Sequence, residues 1–219
     1  MSSTTADAAR FNMVEQQVRP WEVLDYRVLD VLHHSRRELF APPAHRALAY
    51  ADTALPLGHG ASMWTPKLEA HALQALNLRG GERVLEVGTG SGHMAALMAA
   101  IAAQVSTVEI VPALVMQARD HLRAAGIANV SVHEGNGLDG LPGDAPFDAI
   151  LLSGSVSVVP RVLLEQLKTS GRLFAIVGDA PAMRAVRMTR VAPDAWRTEG
   201  LFETQTPRLV EPSMSRFAF

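Results

Sequence analysis

The chain contains no cysteine, which excludes disulfide bonds, thiolate metal sites and cysteine nucleophiles. Aromatic residues make up only 5% of it, and no apolar run approaches the roughly 18–20 residues that cross a bilayer. Neither charge sign is in excess: 20 basic and 22 acidic residues leave a net charge of −2. Such a chain offers no overall field to nucleic acid or to an anionic membrane, so we expect neither as a partner.

The hydrophobic and charged content of the chain is that of a folded domain. Of the 219 residues, 48% are hydrophobic and 19% charged, which excludes a disordered tail and allows a sizeable core. The N-terminus lacks the charged and apolar regions of a secretory signal. We therefore expect a soluble, cytoplasmic protein; the oligomeric state is not predicted.

The chain divides into three sections by pattern. The pattern predicts helices and loops over residues 1–80, alternating strands and helices over residues 81–180, and strands and turns over residues 181–219. Alternation with near-continuous apolar strands is typical of a parallel sheet covered on both faces. We predict an α/β fold: a doubly wound, mostly parallel sheet with an N-terminal helical cap and antiparallel C-terminal strands.

The individual elements follow from periodicity and from Gly and Pro signals. Thr65-Pro66 is a helix start, with Thr as the cap, whereas residues 55–61 are too rich in Gly and Pro to be regular. Strands are predicted at 83–87, 105–109, 130–133, 147–152 and 172–177, helices at about 93–103, 112–125 and 159–168, and edge strands around Val186/Met188 and Phe217/Phe219.

A glycine loop, Gly88-Thr-Gly90-Ser-Gly92, follows the first strand of the alternating section and opens a helix. Glycine turns tightly there and lets a ligand approach the backbone. Glu109 ends the next strand, 21 residues after Gly88. An acid at that place can accept both hydrogens of a ribose diol, so the pattern indicates a nucleotide cofactor, against the alternative of a glycine-rich turn with no ligand.

The residues around the loop narrow the choice of nucleotide. A dinucleotide fingerprint needs a small residue where His93 stands, and a P-loop needs a lysine that is absent here. The pattern that begins at Glu86 instead resembles motif I of class I S-adenosylmethionine (SAM) methyltransferases. The resemblance implies SAM as cofactor and the following binding residues: Glu86, Gly88, Thr89, Gly90, Ser91, Gly92, Glu109, Ile110, Asn136 and Gly137.

Local chemistry supports two interpretations of Asn136, which lies between two glycines after the third strand, about equally. Its amide oxygen can accept a hydrogen bond from the adenine amino group, or Gly-Asn-Gly can be an ordinary turn. Ser153-Gly-Ser155 follows the fourth strand, but no residue that could act as a base lies nearby in sequence. The pattern therefore does not favour a serine hydrolase.

A longer resemblance covers residues 30 to 178. The stretches 37–42 (RELFAP), 48–60 (LAYADTALPLGHG), 84–92 (VLEVGTGSG) and 134–137 (EGNG) resemble signatures of protein-L-isoaspartate O-methyltransferases. The resemblance favours cofactor binding as the role of Asn136. It implies methylation of a carboxylate, with residues 1–80 as helical cap and substrate loop and residues 81–219 as the SAM-binding domain.

One departure from the family pattern bears on the acceptor. Where the family reads G-Q-T-I-S-Q-P, this chain reads GASMWTP over 60–66, so Ser62 replaces the family's Thr and Trp64 its functional Ser. We take His59 and Trp64 as substrate-pocket residues and Ser62 as the candidate catalytic hydroxyl. Because Trp64 removes a hydroxyl and adds a bulky ring, isoaspartyl activity is expected to be weak or absent unless Ser62 supplies the hydroxyl.

Three functions remain open from sequence. The first is carboxylate methylation of the isoaspartate type, on a protein acceptor; the second is methylation of a different, small-molecule acceptor; the third is SAM binding without catalysis. Methyl transfer from a sulfonium to a carboxylate needs alignment but no metal and no general base. We accordingly expect no metal site.

Overall fold

Seven strands form one mostly parallel sheet at the centre of the computed structural model, which describes residues 3–210. The strands are β3 Arg83–Val87, β4 Gln104–Glu109, β5 Val130–Glu134, β6 Phe147–Val156, β7 Leu167–Asp179, β8 Ala182–Ala192 and β9 Ala195–Glu203. The sheet order is β5-β4-β3-β6-β7-β8-β9; β3 to β7 run parallel to one another, and β8 and β9 add an antiparallel edge next to β7. The predicted fold class is confirmed.

Helices cover both faces of this sheet. They are α1 Ser3–Asn12, which continues as a π-helical turn over Met13–Val18, α2 Tyr26–His34, α3 Pro66–Leu76, α4 His93–Ala99, α5 Pro112–Ala124 and α6 Arg161–Glu165. Short 3₁₀ turns lie at Arg19–Trp21, Arg37–Leu39, Pro43–Leu48 and Gly137–Asp139. Thr65 caps α3 as predicted, since its side chain accepts the Leu68 N–H at 3.3 Å.

Alternate strand residues enter two separate cores. Val84 of β3 and Leu151 of β6 belong to the core shared with the N-terminal section, α3 and α4. Their neighbours Leu85 and Ile150 belong to the core on the opposite face, which α6 covers. This alternation is the period of two that a strand imposes, and burial on both faces explains the near-continuous apolar sequence.

The predicted irregular loop over residues 55–61 is wrong. The chain forms a small antiparallel hairpin there, with β1 at Leu55–Gly58 and β2 at Ala61–Met63. Leu55 pairs with Met63, and both side chains are buried. The turn lies at His59-Gly60 and Pro56 lies within β1, so the arms are too short to show a strand pattern.

Other predicted boundaries were displaced. Helix α4 ends at Ala99 rather than near residue 103, and β7 begins at Leu167, which had been given to the preceding helix. Val186 and Met188 lie in β8 as expected, and β9 was not foreseen as a separate strand. The predicted strand at Phe217/Phe219 lies outside the described residues.

Candidate active site

A cleft opens at the carboxyl ends of β3, β4 and β6, the edge at which parallel sheets bind ligands. It holds about 910 Å³ of empty space, counting the part open to solvent. Of the residues predicted for the site, Gly92, the last residue of the glycine loop, does not line the cleft. The others do: His59, Ser62, Trp64, Glu86, Gly88, Thr89, Gly90, Ser91, Glu109, Ile110, Asn136 and Gly137.

The glycine loop is held against the ends of the strands by its backbone. The Gly88 N–H donates to the Val108 carbonyl of β4 at 2.8 Å, and Gly92 takes a left-handed conformation at the N-terminus of α4. A side chain at Gly88 would be strained, because its φ is +93° and a Cβ would meet the Leu209 side chain at 2.9 Å. The loop therefore needs glycine both for its turn and for close packing.

Glu109 ends β4 with a buried carboxylate that faces the cleft. Its Oε2 accepts the Gly90 N–H at 2.9 Å, and its Oε1 accepts the Val111 N–H at 3.0 Å. Two backbone bonds thus fix the carboxylate, and each oxygen keeps a lone pair for a ligand donor. The side chain also supports the glycine loop, a role the sequence did not indicate.

Glu86 lies at the end of β3 and is fully buried. Thr107 Oγ1 donates to its Oε2, and Ser153 Oγ donates to its Oε1, both at 2.7 Å. Thr89 Oγ1 lies 2.7 Å from Thr107 Oγ1 and continues the chain to the glycine loop. Burial outweighs these hydrogen bonds and raises the pKa of Glu86 to about 8, so this carboxyl is mostly neutral at pH 7.

Asn136 and Ile110 form the far end of the cleft, beside Glu109. The Asn136 side-chain oxygen accepts the Leu138 N–H at 3.1 Å and caps the 3₁₀ turn, so its local role as a turn residue is real. Its second lone pair remains for a ligand, and binding to adenine stays a prediction. Gly137 is required by space, since a Cβ there would meet Val87 Cγ1 at 2.7 Å.

The β1–β2 hairpin and the residue after it line the cleft with His59, Ser62 and Trp64. His59 is exposed at the turn and has a positive φ of 54°. Trp64 is only 6% exposed and packs edge-on against Phe174, with ring centroids 6.3 Å apart. The indole therefore belongs to the core and lines the cleft at the same time.

A network of buried charged residues lies next to the hairpin, and we did not predict it from the sequence. The Arg37 guanidinium donates to Glu69, to the Trp64 carbonyl and, at 2.7 Å, to the Ala49 carbonyl. His93 Nδ1 lies 3.0 Å from Glu69 Oε1. The available signal was Glu69 itself, a charged residue within the apolar stripe of α3.

The protonation of this network follows from its burial. Desolvation lowers the pKa of His93, which keeps the imidazole neutral despite Glu69. The Nδ1–H then donates to Glu69, and Nε2 accepts from the Ser35 hydroxyl at 2.8 Å. The Arg37 cation and the Glu69 carboxylate cancel each other, so this wall of the cleft carries no net charge.

The C-terminal part of the described chain also lines the cleft. Pro207 accepts the Ser155 N–H and Leu209 donates to the Ser155 carbonyl, both at 2.9 Å, so this segment runs beside the end of β6. The Leu209 side chain covers Gly154 as well as Gly88. Sequence reasoning missed the segment because its contacts join residues more than 50 positions apart.

No cluster of three or more His, Asp or Glu residues within residues 3–210 could hold a metal ion. Within the same residues, no helix is long and apolar enough to cross a membrane.

Known proteins resemble this chain in both sequence and fold. A family model described as protein-L-isoaspartate(D-aspartate) O-methyltransferase (PCMT) matches residues 10–200. A solved protein-L-isoaspartate O-methyltransferase superposes with a TM-score of 0.81 at 25% identity, over 92% of this chain and 66% of that one. A putative relative from Plasmodium falciparum, solved with S-adenosyl-L-homocysteine, superposes with a TM-score of 0.78 at 21% identity, over 94% and 98%, which shows the fold alone.

Sequence relatives are more similar still. Protein-L-isoaspartate O-methyltransferase 1 of Rhodopseudomonas palustris is 43% identical over 209 residues, or 95% of this chain and 85% of the relative. The enzyme of Anaeromyxobacter dehalogenans is 45% identical over 173 residues, or 78% and 83%. The sheet, with its glycine loop and Glu109 at the carboxyl edge, is that of a class I methyltransferase. Within that class, the chain belongs to the protein-L-isoaspartate(D-aspartate) O-methyltransferase family.

Removing one member of the buried ion pair should destabilise the fold. We expect Glu69→Gln to lower the free energy of unfolding by about 3–5 kcal/mol, because Arg37 is left buried without its counter-ion. Asp120→Asn is the control, since it breaks an exposed pair with Arg123 and should cost at most about 1 kcal/mol. Urea unfolding of the two variants checks this, and equal losses would contradict it.

Proposed function

We propose that this chain transfers the methyl group of SAM to the free carboxylate of an isoaspartyl residue in a protein. The observation that carries the proposal is that Glu109 and the Ser62–Trp64 hairpin line one and the same cleft. A cofactor and an acceptor can meet end to end in such a cleft. Family membership supports the same reaction.

The residues at the glycine-loop end fit the cofactor. Glu109 presents a fixed, buried carboxylate of the kind that holds a ribose diol. The loop brings backbone close to the ligand, and Asn136 and Ile110 offer an amide and an apolar surface at the base end. We assign the nucleoside of SAM to this end and its methionine part to the glycine loop beside Glu86.

SAM supplies a methyl group on a positively charged sulfur. The protein's own contribution is to align the acceptor with that methyl group and to exclude water, so the gain is mainly one of orientation. The segment at Pro207–Leu209 covers the glycine loop and would help to exclude water from the cleft. An acceptor carboxylate is ionised at pH 7, so none of the glutamates has to act as a base.

Three glutamates line the cleft, and an anionic acceptor would be repelled if all were charged. Arg37 neutralises Glu69 by direct ion pairing. Glu86 is mostly neutral at pH 7 in the free protein because burial raises its pKa to about 8, and any charge that it gains beside bound SAM would be balanced by the sulfonium. Only Glu109 keeps a free charge, and it lies at the nucleoside end, so the acceptor end can admit a carboxylate.

The expectation of weak or absent isoaspartyl activity assumes that Trp64 fills the acceptor space, and the packing of Trp64 speaks against that assumption. The indole packs against Phe174 in the core and leaves an open cleft beside it. The Ser62 hydroxyl lines the same cleft. We therefore propose isoaspartyl methylation in spite of the substitution.

The test is transfer of labelled methyl groups from SAM to a peptide with one isoaspartyl residue, against the same peptide with normal aspartate. We expect methylation of the isoaspartyl peptide only. Tight SAM binding with no transfer to either peptide would refute the proposal in favour of a non-catalytic relative. Transfer to a small carboxylic acid but to neither peptide would favour the small-molecule acceptor.

Glu109→Ala should weaken SAM binding by roughly tenfold or more, because a buried ribose diol then lacks its acceptor. Glu109→Gln tests the charge while one amide oxygen remains. Glu134→Ala, at the exposed end of the neighbouring strand β5, is the matched control and should bind normally. Calorimetry measures all three, and equal affinity of wild type and Glu109→Ala would end the assignment.

SAM binding should release protons from Glu86. Its pKa of about 8 in the free protein should fall when a cation binds beside it, so affinity for SAM should rise with pH up to about 8. Calorimetry at pH 7 in two buffers of different ionisation enthalpy measures the release. Glu86→Gln should abolish it, and S-adenosylhomocysteine, which lacks the sulfonium charge, should release fewer protons. Release that persists in Glu86→Gln would contradict this account.

A further inference from the structure

The glycine loop is a flexible stretch of backbone that the cofactor site needs in one conformation. Gly88, Gly90 and Gly92 all have positive φ angles, of +93°, +51° and +83°. Glycine has access to more backbone conformations than any other residue, so the peptides of the loop can turn over at low cost unless other groups hold them. The loop therefore needs partners outside itself if it is to be ordered before SAM arrives.

The two sides of the loop have different partners. Strand β4 holds the first part, since its last residues accept the Gly88 and Gly90 N–H groups at 2.8 and 2.9 Å. The peptide between Ser91 and Gly92 is held from the side of α5, where Nδ1 of His121 lies 2.9 Å from the Ser91 carbonyl oxygen. A carbonyl oxygen can only accept, so this Nδ1 carries the hydrogen and donates.

Close packing brings α5 to the loop. A Cβ added at Gly92 would meet Ala118 Cβ at 3.4 Å, so loop and helix touch where the side chains are absent or small. His121 lies one turn after Ala118, on the same face of α5. A half-buried histidine on the face that packs against the loop needs a hydrogen-bond partner, and the Ser91 carbonyl is that partner.

The His121 ring is itself held by the N-terminal section. Phe40 is buried and packs edge-on against it, with ring centroids 5.8 Å apart. The same phenyl ring packs edge-on against His93, the first residue of α4, at 5.2 Å. Phe40 belongs to the stretch 37–42 that the sequence analysis singled out, and these contacts place it next to the cofactor loop. The donor on His121 thus has a fixed direction before a ligand binds.

We propose that His121 is a positioning residue for SAM: its Nδ1–H holds the Ser91–Gly92 peptide and keeps the glycine loop in the conformation that binds the cofactor. The proposal rests on the part of the proposed function that puts SAM in this cleft. His121 does not line the cleft, so it acts through the loop. Without its hydrogen bond the free loop has more conformations, and SAM binding has to order it.

A pair of amide variants tests where the donor must be. The side-chain nitrogen of Asn can take the place of Nδ1, whereas that of Gln reaches the place of Nε2. We expect His121→Leu and His121→Gln to weaken S-adenosylhomocysteine binding about three- to tenfold, as for one lost hydrogen bond, and His121→Asn to bind like wild type. Calorimetry measures the series. Wild-type affinity of His121→Leu, or equal losses in the Asn and Gln variants, would overturn the proposal.

His34→Leu is the matched control. Nδ1 of His34 lies 2.8 Å from the Asp30 carbonyl oxygen, so this variant removes the same kind of hydrogen bond on the exposed face of α2. We expect it to bind S-adenosylhomocysteine like wild type. A loss as large as that of His121→Leu would contradict a specific role of His121.

Two further measurements separate positioning from general stabilisation. In the free protein, the amides of residues 90–93 should exchange with deuterium faster in His121→Leu than in wild type, and at equal rates once S-adenosylhomocysteine is bound. In methyl transfer, KM for SAM should rise while kcat stays unchanged, because saturating SAM orders the loop. Equal exchange in the two free proteins, or a lower kcat with an unchanged KM for SAM, would refute the positioning role.

The outcomes separate this inference from the proposed function. If wild type and all His121 variants bind S-adenosylhomocysteine equally well, the role of His121 is refuted and the function stands. If wild type binds S-adenosylhomocysteine but methylates no isoaspartyl peptide, the function fails, and the affinity series still decides on His121. Should His121→Leu not fold, the contrast between His121→Asn and His121→Gln decides.

Discussion

The site depends on one buried guanidinium, that of Arg37. It joins the N-terminal section to α3 through Glu69, to the hairpin through the Trp64 carbonyl, and to the turn before β1 through Ala49. Burying a charge is costly unless it is paired and its donors are used, and here the donors find a carboxylate and two carbonyls. Because α3 and the hairpin line the cleft where we propose that the acceptor binds, the geometry of that part follows from the way Arg37 is satisfied.

The same pairing governs the charge of the cleft. SAM is a cation at sulfur and the proposed acceptor is an anion, so the walls must favour neither strongly. Arg37 cancels Glu69, and burial keeps Glu86 protonated near pH 7. A carboxyl with a raised pKa is adaptable: it is neutral toward an incoming anion and can ionise beside a bound cation. The negative charge of Glu109 stays at the nucleoside end, where hydroxyl donors are expected.

Sequence patterns predicted the parts of the molecule that are determined locally. The glycine loop, the acid that ends β4 and the alternation of strands and helices each follow from neighbouring residues, and the structure contains them. The parts that were missed depend on strand pairing, either across a very short hairpin or between residues far apart in the chain. The 55–63 hairpin requires Leu55 to face Met63, and the Pro207–Leu209 segment requires Ser155 as its partner. Neither pairing leaves a periodic trace in the sequence.

The boundary predicted near residue 80 likewise concerns contacts between residues far apart in the chain. The division into a cap over 1–80 and a SAM-binding domain over 81–219 stays a prediction, and the packing indicates how the two sections cooperate. Val14, Leu32 and Leu73 share one core with Val84 and Phe174 of the sheet. Trp64 packs into that core by its ring and borders the cleft by the same side chain. Trp64 is thereby fixed by the packing that stabilises the fold, so changes in the cap should reach the cleft without touching it.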